Sequence, residues 1–152
     1  MGLFSLFEKA YEKFDKSLPQ IMDTLSNIND QIDKNQQRID ERFESIIKTY
    51  NEYPLRVLKN ELSRLNASDG SDDTIREKAL NKIIKERNSK IDNFVLNYSR
   101  LSSSTLREER VNVIHGRANY CNESYGCMEI TKVEAELRIS AIDKLLNERN
   151  DY

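Results

Sequence analysis

Tryptophan is absent from this 152-residue chain, and proline and glycine are scarce, at two and four residues. Folds built from many short strands need turn-forming residues at short intervals, so this scarcity predicts long helices. Histidine occurs once and cysteine twice. That leaves little for a zinc site, which takes four Cys, His or carboxylate ligands and typically includes a close cysteine pair. No stretch approaches the roughly 20 consecutive apolar residues of a membrane span. The start, MGLFSLFEKAYEKF, has neither the charged leader nor the continuous apolar core of a secretory signal. The glycine-rich phosphate loops, the HExxH helix and the GxSxG elbow are all missing. No sign of charge predominates either: 24 Lys and Arg face 26 Asp and Glu, a net charge of −2. Without a strong overall field, charge names no partner. The expectation is a cytoplasmic chain with reduced thiols and no catalytic residue, cofactor, metal site or membrane span.

What the chain does have is helical periodicity. Hydrophobic residues make up 38% and charged residues 33%, with Asn, Ile, Lys and Ser abundant, as in the AT-rich coding of a phage or low-GC bacterium. Capping boxes set Ser or Thr three residues ahead of Glu or Gln, so that side chains satisfy unpaired backbone N–H groups. Ser5–Glu8, Ser17–Gln20, Thr74–Glu77, Thr105–Glu108 and Thr131–Glu134 fit, while Thr49–Glu52 fits the pattern but lies late in a helical run. Residues 6–16 form a first segment. Residues 18–50 follow, with Ile21, Leu25, Ile28, Ile32, Ile39, Phe43, Ile46 and Tyr50 spaced as a coiled-coil seam. Leu55, Leu58, Leu62 and Leu65 stripe a helix after Pro54, and NASDGSDD, residues 66–73, reads as a flexible linker. A helix at 75–101, a shorter segment at 106–115 and a final helix at 132–149 complete the pattern. The fold class expected is all-α: one domain over residues 1–152, five to six helices in an elongated bundle, with helix 18–50 as a coiled-coil-like arm.

Three regions are candidates for function. HGRANYCNESYGC, residues 115–127, gathers the sole histidine and both cysteines. Its spacing lacks a close ligand pair, so it is expected to be a corner, with Cys121 as a small core residue and Gly126 at the turn into the last helix. Val111, Ile114, Ala118 and Cys121 are expected to share one buried face. His115, Arg117 and Tyr120 are the residues of this corner expected to touch a protein partner. The second region is the basic helix 76–90, where Lys78, Lys82 and Lys85 form a stripe with Arg76, Arg87 and Lys90 nearby. Such a stripe suits a phosphate backbone, but Glu77 and Glu86 interrupt it, so nucleic-acid binding is the alternative function.

The third region is the amino-terminal half. Phe4, Phe7, Tyr11 and Phe14 make an amphipathic strip that suits a partner's groove. Farther along, Ile28, Ile32, Asn35, Ile39 and Phe43 are assigned to self-association, with Asn35 as the polar seam residue that sets register. Adjacent carboxylates such as Glu108 and Glu109 diverge around a helix and read as solvated charge. The expected function is non-enzymatic: a homodimeric helical protein that presents surfaces to a protein partner, in the manner of a phage or mobile-element inhibitor or assembly factor.

Overall fold

The structure, a computed structural model, describes residues 3–66, 71–121 and 124–149; the side chains of Leu3, residues 71–73, Cys121, Ser124 and Tyr125 lie outside that description. The order is α1 (Leu3–Tyr50), α2 (Leu55–Leu65), α3 (Ser71–Tyr98), α4 (Ser103–Ile114), β1 (Arg117–Cys121), β2 (Ser124–Glu129) and α5 (Lys132–Glu148). The all-α expectation therefore holds for everything but one small hairpin. The chain divides into two compact units, Met1–Arg42 and Phe43–Tyr152.

The first unit is helix throughout its described length. The segments expected at 6–16 and 18–50 are one continuous helix that carries Pro19 in its interior. Proline lacks the N–H that the carbonyl four residues earlier would accept, yet the helix continues on both sides. Ser5 and Ser17 are consequently not caps. The Ser17 hydroxyl donates to the Phe14 carbonyl at 2.9 Å, as Thr24 does to Gln20 at 2.8 Å. On the polar side Gln36 donates to Asp40 at 2.8 Å and Gln37 to Glu41 at 2.9 Å, one helical turn apart.

The second unit holds the core, in two clusters. Leu58 and Leu65 of α2 meet Leu80 and Ile83 of α3, with Ile47 and Tyr50 from the end of α1 at the rim. Tyr98, Leu106, Ala141, Ile142, Leu145 and Leu146 form the other cluster, joining α3, α4 and α5. The bend between α1 and α2 is held by long side chains from distant helices. Arg87 donates to the Tyr53 carbonyl, and to that of Asn51 at 2.7 Å. Both oxygens of Glu136 accept the Leu55 N–H at 3.0 Å. Burial lowers the pKa of the Arg87 guanidinium, which the Glu136 carboxylate partly offsets. Arg149 similarly ties the α3–α4 bend through the Leu101 and Ser99 carbonyls at 2.7 and 2.8 Å.

Several boundaries differ from expectation. The linker assigned to 66–73 is partly helix, because α3 starts at Ser71, which puts Thr74 inside it; residues 67–70 lie outside the described structure. Polar and acidic residues are well accepted in a first helical turn, so composition alone does not mark where a linker ends. The cap of α4 is Ser102, whose hydroxyl accepts the Thr105 N–H at 3.2 Å, three residues before the expected box. At α5 the expected cap is in place: Thr131 accepts the Glu134 N–H at 3.2 Å.

The largest departure lies at 115–127, where the expected corner is an antiparallel hairpin. Arg117 pairs with Glu129, Ala118 with Met128, Tyr120 with Tyr125 and Cys121 with Ser124, with an irregularity between Ala118 and Tyr120. The Ile130 N–H donates to the Gly116 carbonyl at 3.0 Å and closes its base. Gly116, at φ 77°, turns the chain out of α4, a conformation that favours glycine. Gly126, expected at a turn, sits inside β2. Val111 and Ile114, expected on a buried face with Ala118, are exposed, whereas Ala118 is fully buried. A strand after Gly116 breaks the helical phase that this expectation assumed.

Candidate functional site

The first unit supplies the most conspicuous surface. On one uninterrupted helix the aromatic strip and the proposed seam fall into a single register. Phe4, Phe7, Tyr11, Phe14, Leu18, Ile21, Leu25, Ile28, Ile32, Asn35, Ile39 and Arg42 follow one another at alternating steps of three and four. That is heptad spacing, interrupted by the amide of Asn35 and the guanidinium of Arg42. The apolar members are exposed, from 88% at Phe4 to 41% at Leu18. Phe43 is placed differently from the other residues assigned to self-association. It is half-buried in the second unit, with the Lys82 ammonium 5.5 Å from its ring centroid, and Arg42 rather than Phe43 continues the stepping.

The basic candidates share one helix but not one environment. Lys78, Lys82 and Lys85 are exposed on α3, whereas Arg87 is buried and committed to the α1–α2 bend. Arg76 pairs with Glu61 at 3.7 Å. Two of the basic residues counted around the stripe therefore serve the fold.

The hairpin candidates separate in the same way. His115 is the C-cap of α4, with its N–H directed to the Asn112 and Val111 carbonyls at 3.0 and 3.3 Å. It and Arg117 are exposed, while Tyr120 packs against the α3–α4–α5 core. Cys127 is a free, exposed thiol; the side-chain role expected of Cys121 lies outside the described structure. Among the described residues, no group of three His, Cys, Asp or Glu side chains is placed to hold a metal ion.

A cluster of buried polar side chains lies outside the three regions that the residue pattern singles out. Glu109, expected to be solvated, is fully buried. It accepts the Asn119 N–H at 2.9 Å, the Tyr120 N–H at 3.2 Å and the Tyr98 hydroxyl at 3.5 Å. Arg138 donates to the Tyr98 hydroxyl at 2.7 Å, the Tyr120 carbonyl at 3.0 Å and Glu134 at 2.9 Å, and its guanidinium lies 4.3 Å from the Phe94 ring centroid. Among the described residues no buried side-chain nitrogen or oxygen lacks a hydrogen bond. The cluster thus fastens the irregular strand β1 to the helices, with the Glu109 oxygens already committed to backbone donors. The sequence did carry a signal. Glu109 lies three residues after Leu106 and four before Val113, on the face those two bury.

Beside the cluster, a cleft of about 620 Å³ opens among Lys90, Phe94, Asn97, Met128, Glu134 and Arg138. Of these groups, Arg138 and Glu134 are engaged with each other and Arg138 with Phe94, which makes the cleft wall part of the same scaffold. Among the described residues no helix is long and apolar enough to cross a membrane. Comparison with protein-family models, with curated proteins and with solved structures finds no match.

Proposed function

We propose that this is a non-enzymatic interaction protein that self-associates through the apolar stripe of α1 and so presents helical surfaces to other proteins, as an inhibitor or assembly factor does. The observation that supports this reading is the exposed, unbroken stepping from Phe4 to Ile39. Isolated helices in water draw little stability from propensity alone, and most are held by burial of an apolar face. An exposed apolar stripe along most of α1 supports an interaction surface, because large contiguous apolar patches are uncommon on monomers.

Size exclusion coupled to light scattering tests the reading. The full chain is expected at a multiple of its 17.8 kDa mass at micromolar concentration. Ile28→Asp with Ile32→Asp is expected to return it to monomer, while the urea unfolding transition of the second unit stays in place. A monomeric unsubstituted chain would overturn the proposal.

A further inference from the structure

The stripe on α1 also carries enough chemical asymmetry to say how its partner lies. We infer that the occupant is the α1 helix of a second copy of this chain, running antiparallel, in a register that sets Phe4 against the partner's Arg42 and Tyr11 against the partner's Asn35. This rests on the self-association reading above and specifies its geometry.

The length of the stripe argues for a second α1. A strict seven-residue repeat drifts about 20° per heptad around a straight helix, so only a supercoiling partner of similar length can follow it throughout. α1 spans 48 residues, whereas α3 spans 28 and α5 17. The charged residues point to the same arrangement. Lys9, Lys16, Asp23, Asp30, Lys34 and Glu41 all fall off the seam, where a two-helix interface leaves them in water.

Orientation follows from which residues would meet. Two parallel, in-register copies would set each seam residue against itself. Arg42 would face the partner's Arg42, a like-charge pair in an apolar seam. Phe4, Phe7, Tyr11 and Phe14 would stack four consecutive aromatic layers at one end, where paired large side chains overfill the space.

In an antiparallel pair, the two seam positions of the heptad face one another instead. In the register where residue numbers of opposed positions sum to 46, the sequence is complementary along the whole overlap. Arg42 meets the partner's Phe4, a guanidinium on an aromatic face. Asn35 meets the partner's Tyr11, amide to phenol, so the seam's amide has a polar partner. Phe14 opposes Ile32 and Phe7 opposes Ile39, each large ring against a smaller aliphatic. Leu18 opposes Ile28, and Ile21 opposes Leu25 at the centre. The flanking positions avoid conflict too: Glu8 lies near the partner's Gln36, and Asp15 near the partner's Asn29.

Disulfide trapping decides the matter. In a chain whose Cys121 and Cys127 are replaced by serine, Leu18→Cys and Ile28→Cys variants are purified separately, then mixed and oxidised with diamide. The mixture is expected to yield a dimer linked between positions 18 and 28, identified by mass spectrometry, at about tenfold the yield of a linked dimer from either variant alone. Opposed seam positions approach within disulfide reach and other pairs do not. A protein of dimeric mass in which Leu18→Cys alone links to itself overturns the antiparallel order and leaves self-association standing. A dimeric protein that gives neither link overturns the register. A monomeric unsubstituted chain overturns this inference and the reading beneath it together.

Discussion

Ile28 and Ile142 occupy the same kind of position, an apolar face repeating every three or four residues, and meet opposite fates. Ile28 in the first unit is 47% exposed, whereas Ile142 in the second is fully buried between α3, α4 and α5. The second unit covers its helical faces from within the chain and locks them with buried charges: Glu109 under β1, Arg138 across Tyr98, Arg87 on the α1–α2 bend. The first unit has a longer and more regular face than any of these helices, with its apolar side chains still in solvent. An apolar helical stripe therefore does not by itself say whether the same chain buries it.

The contrast can be broken most severely at Glu109. Glu109→Ala strands the Asn119 and Tyr120 N–H groups and takes the acceptor from the Tyr98 hydroxyl, which keeps its bond from Arg138, so urea denaturation is expected to show a loss of about 3–5 kcal/mol. The mass seen by light scattering should not change under native conditions.

Truncation of the paired isoleucines is the direct comparison. Ile142→Ala opens a cavity in a closed core and is expected to lower stability by about 2–4 kcal/mol. Ile28→Ala should leave that unfolding transition within about 0.5 kcal/mol. Its effect should appear as weaker association, about 1–2 kcal/mol per copy, read from sedimentation equilibrium. Equal losses of folding stability from both would erase the distinction between the two faces.

The hairpin gives a finer probe within the second unit. Gly116→Ala forces a side chain into left-handed backbone at φ 77° and should cost about 1 kcal/mol. Gly126→Ala meets nothing within 4 Å and should stay within about 0.5 kcal/mol of the parent.

The smallest effect is expected at high pH. Burial, followed by the Glu61 carboxylate, raises the pKa of Tyr50 above its usual value of 10.0. A group whose folded pKa is raised contributes fully below the unfolded value and loses that contribution as pH climbs through the folded one. Stability should accordingly decline above pH 10.0, and Tyr50→Phe should reduce the decline. Tyrosinate absorbance during alkaline titration would check the order of ionisation.

How much of this could be read from residues alone varies by element. The α2 stripe Leu55, Leu58, Leu62 and Leu65, and the final helix at 132–149, were legible because helical spacing is a local property of the chain. The cap at Thr131 was legible for the same reason. The Ser17–Gln20 box misled, since serine three residues ahead of glutamine can also lie inside a helix, and the stripe running through it was the better guide. The hairpin at 117–129 was hidden because its strands are short and irregular, and their pairing is satisfied partly by Glu109 rather than by a regular ladder.

The sequence therefore specifies the helices and their apolar faces through local spacing. It also carried the polar interruptions at Asn35 and Arg42. The three-dimensional fold shows that residues 3–50 are one helix, which puts both apolar stripes in one register. It alone separated exposed Lys85 from buried Arg87, two residues apart on α3, and buried Glu109 from exposed Glu108. The physical reason is distance along the chain. Spacing is set by neighbours three and four residues away, whereas burial of a charge depends on partners such as Asn51, 36 residues from Arg87, or Tyr98, 40 residues from Arg138.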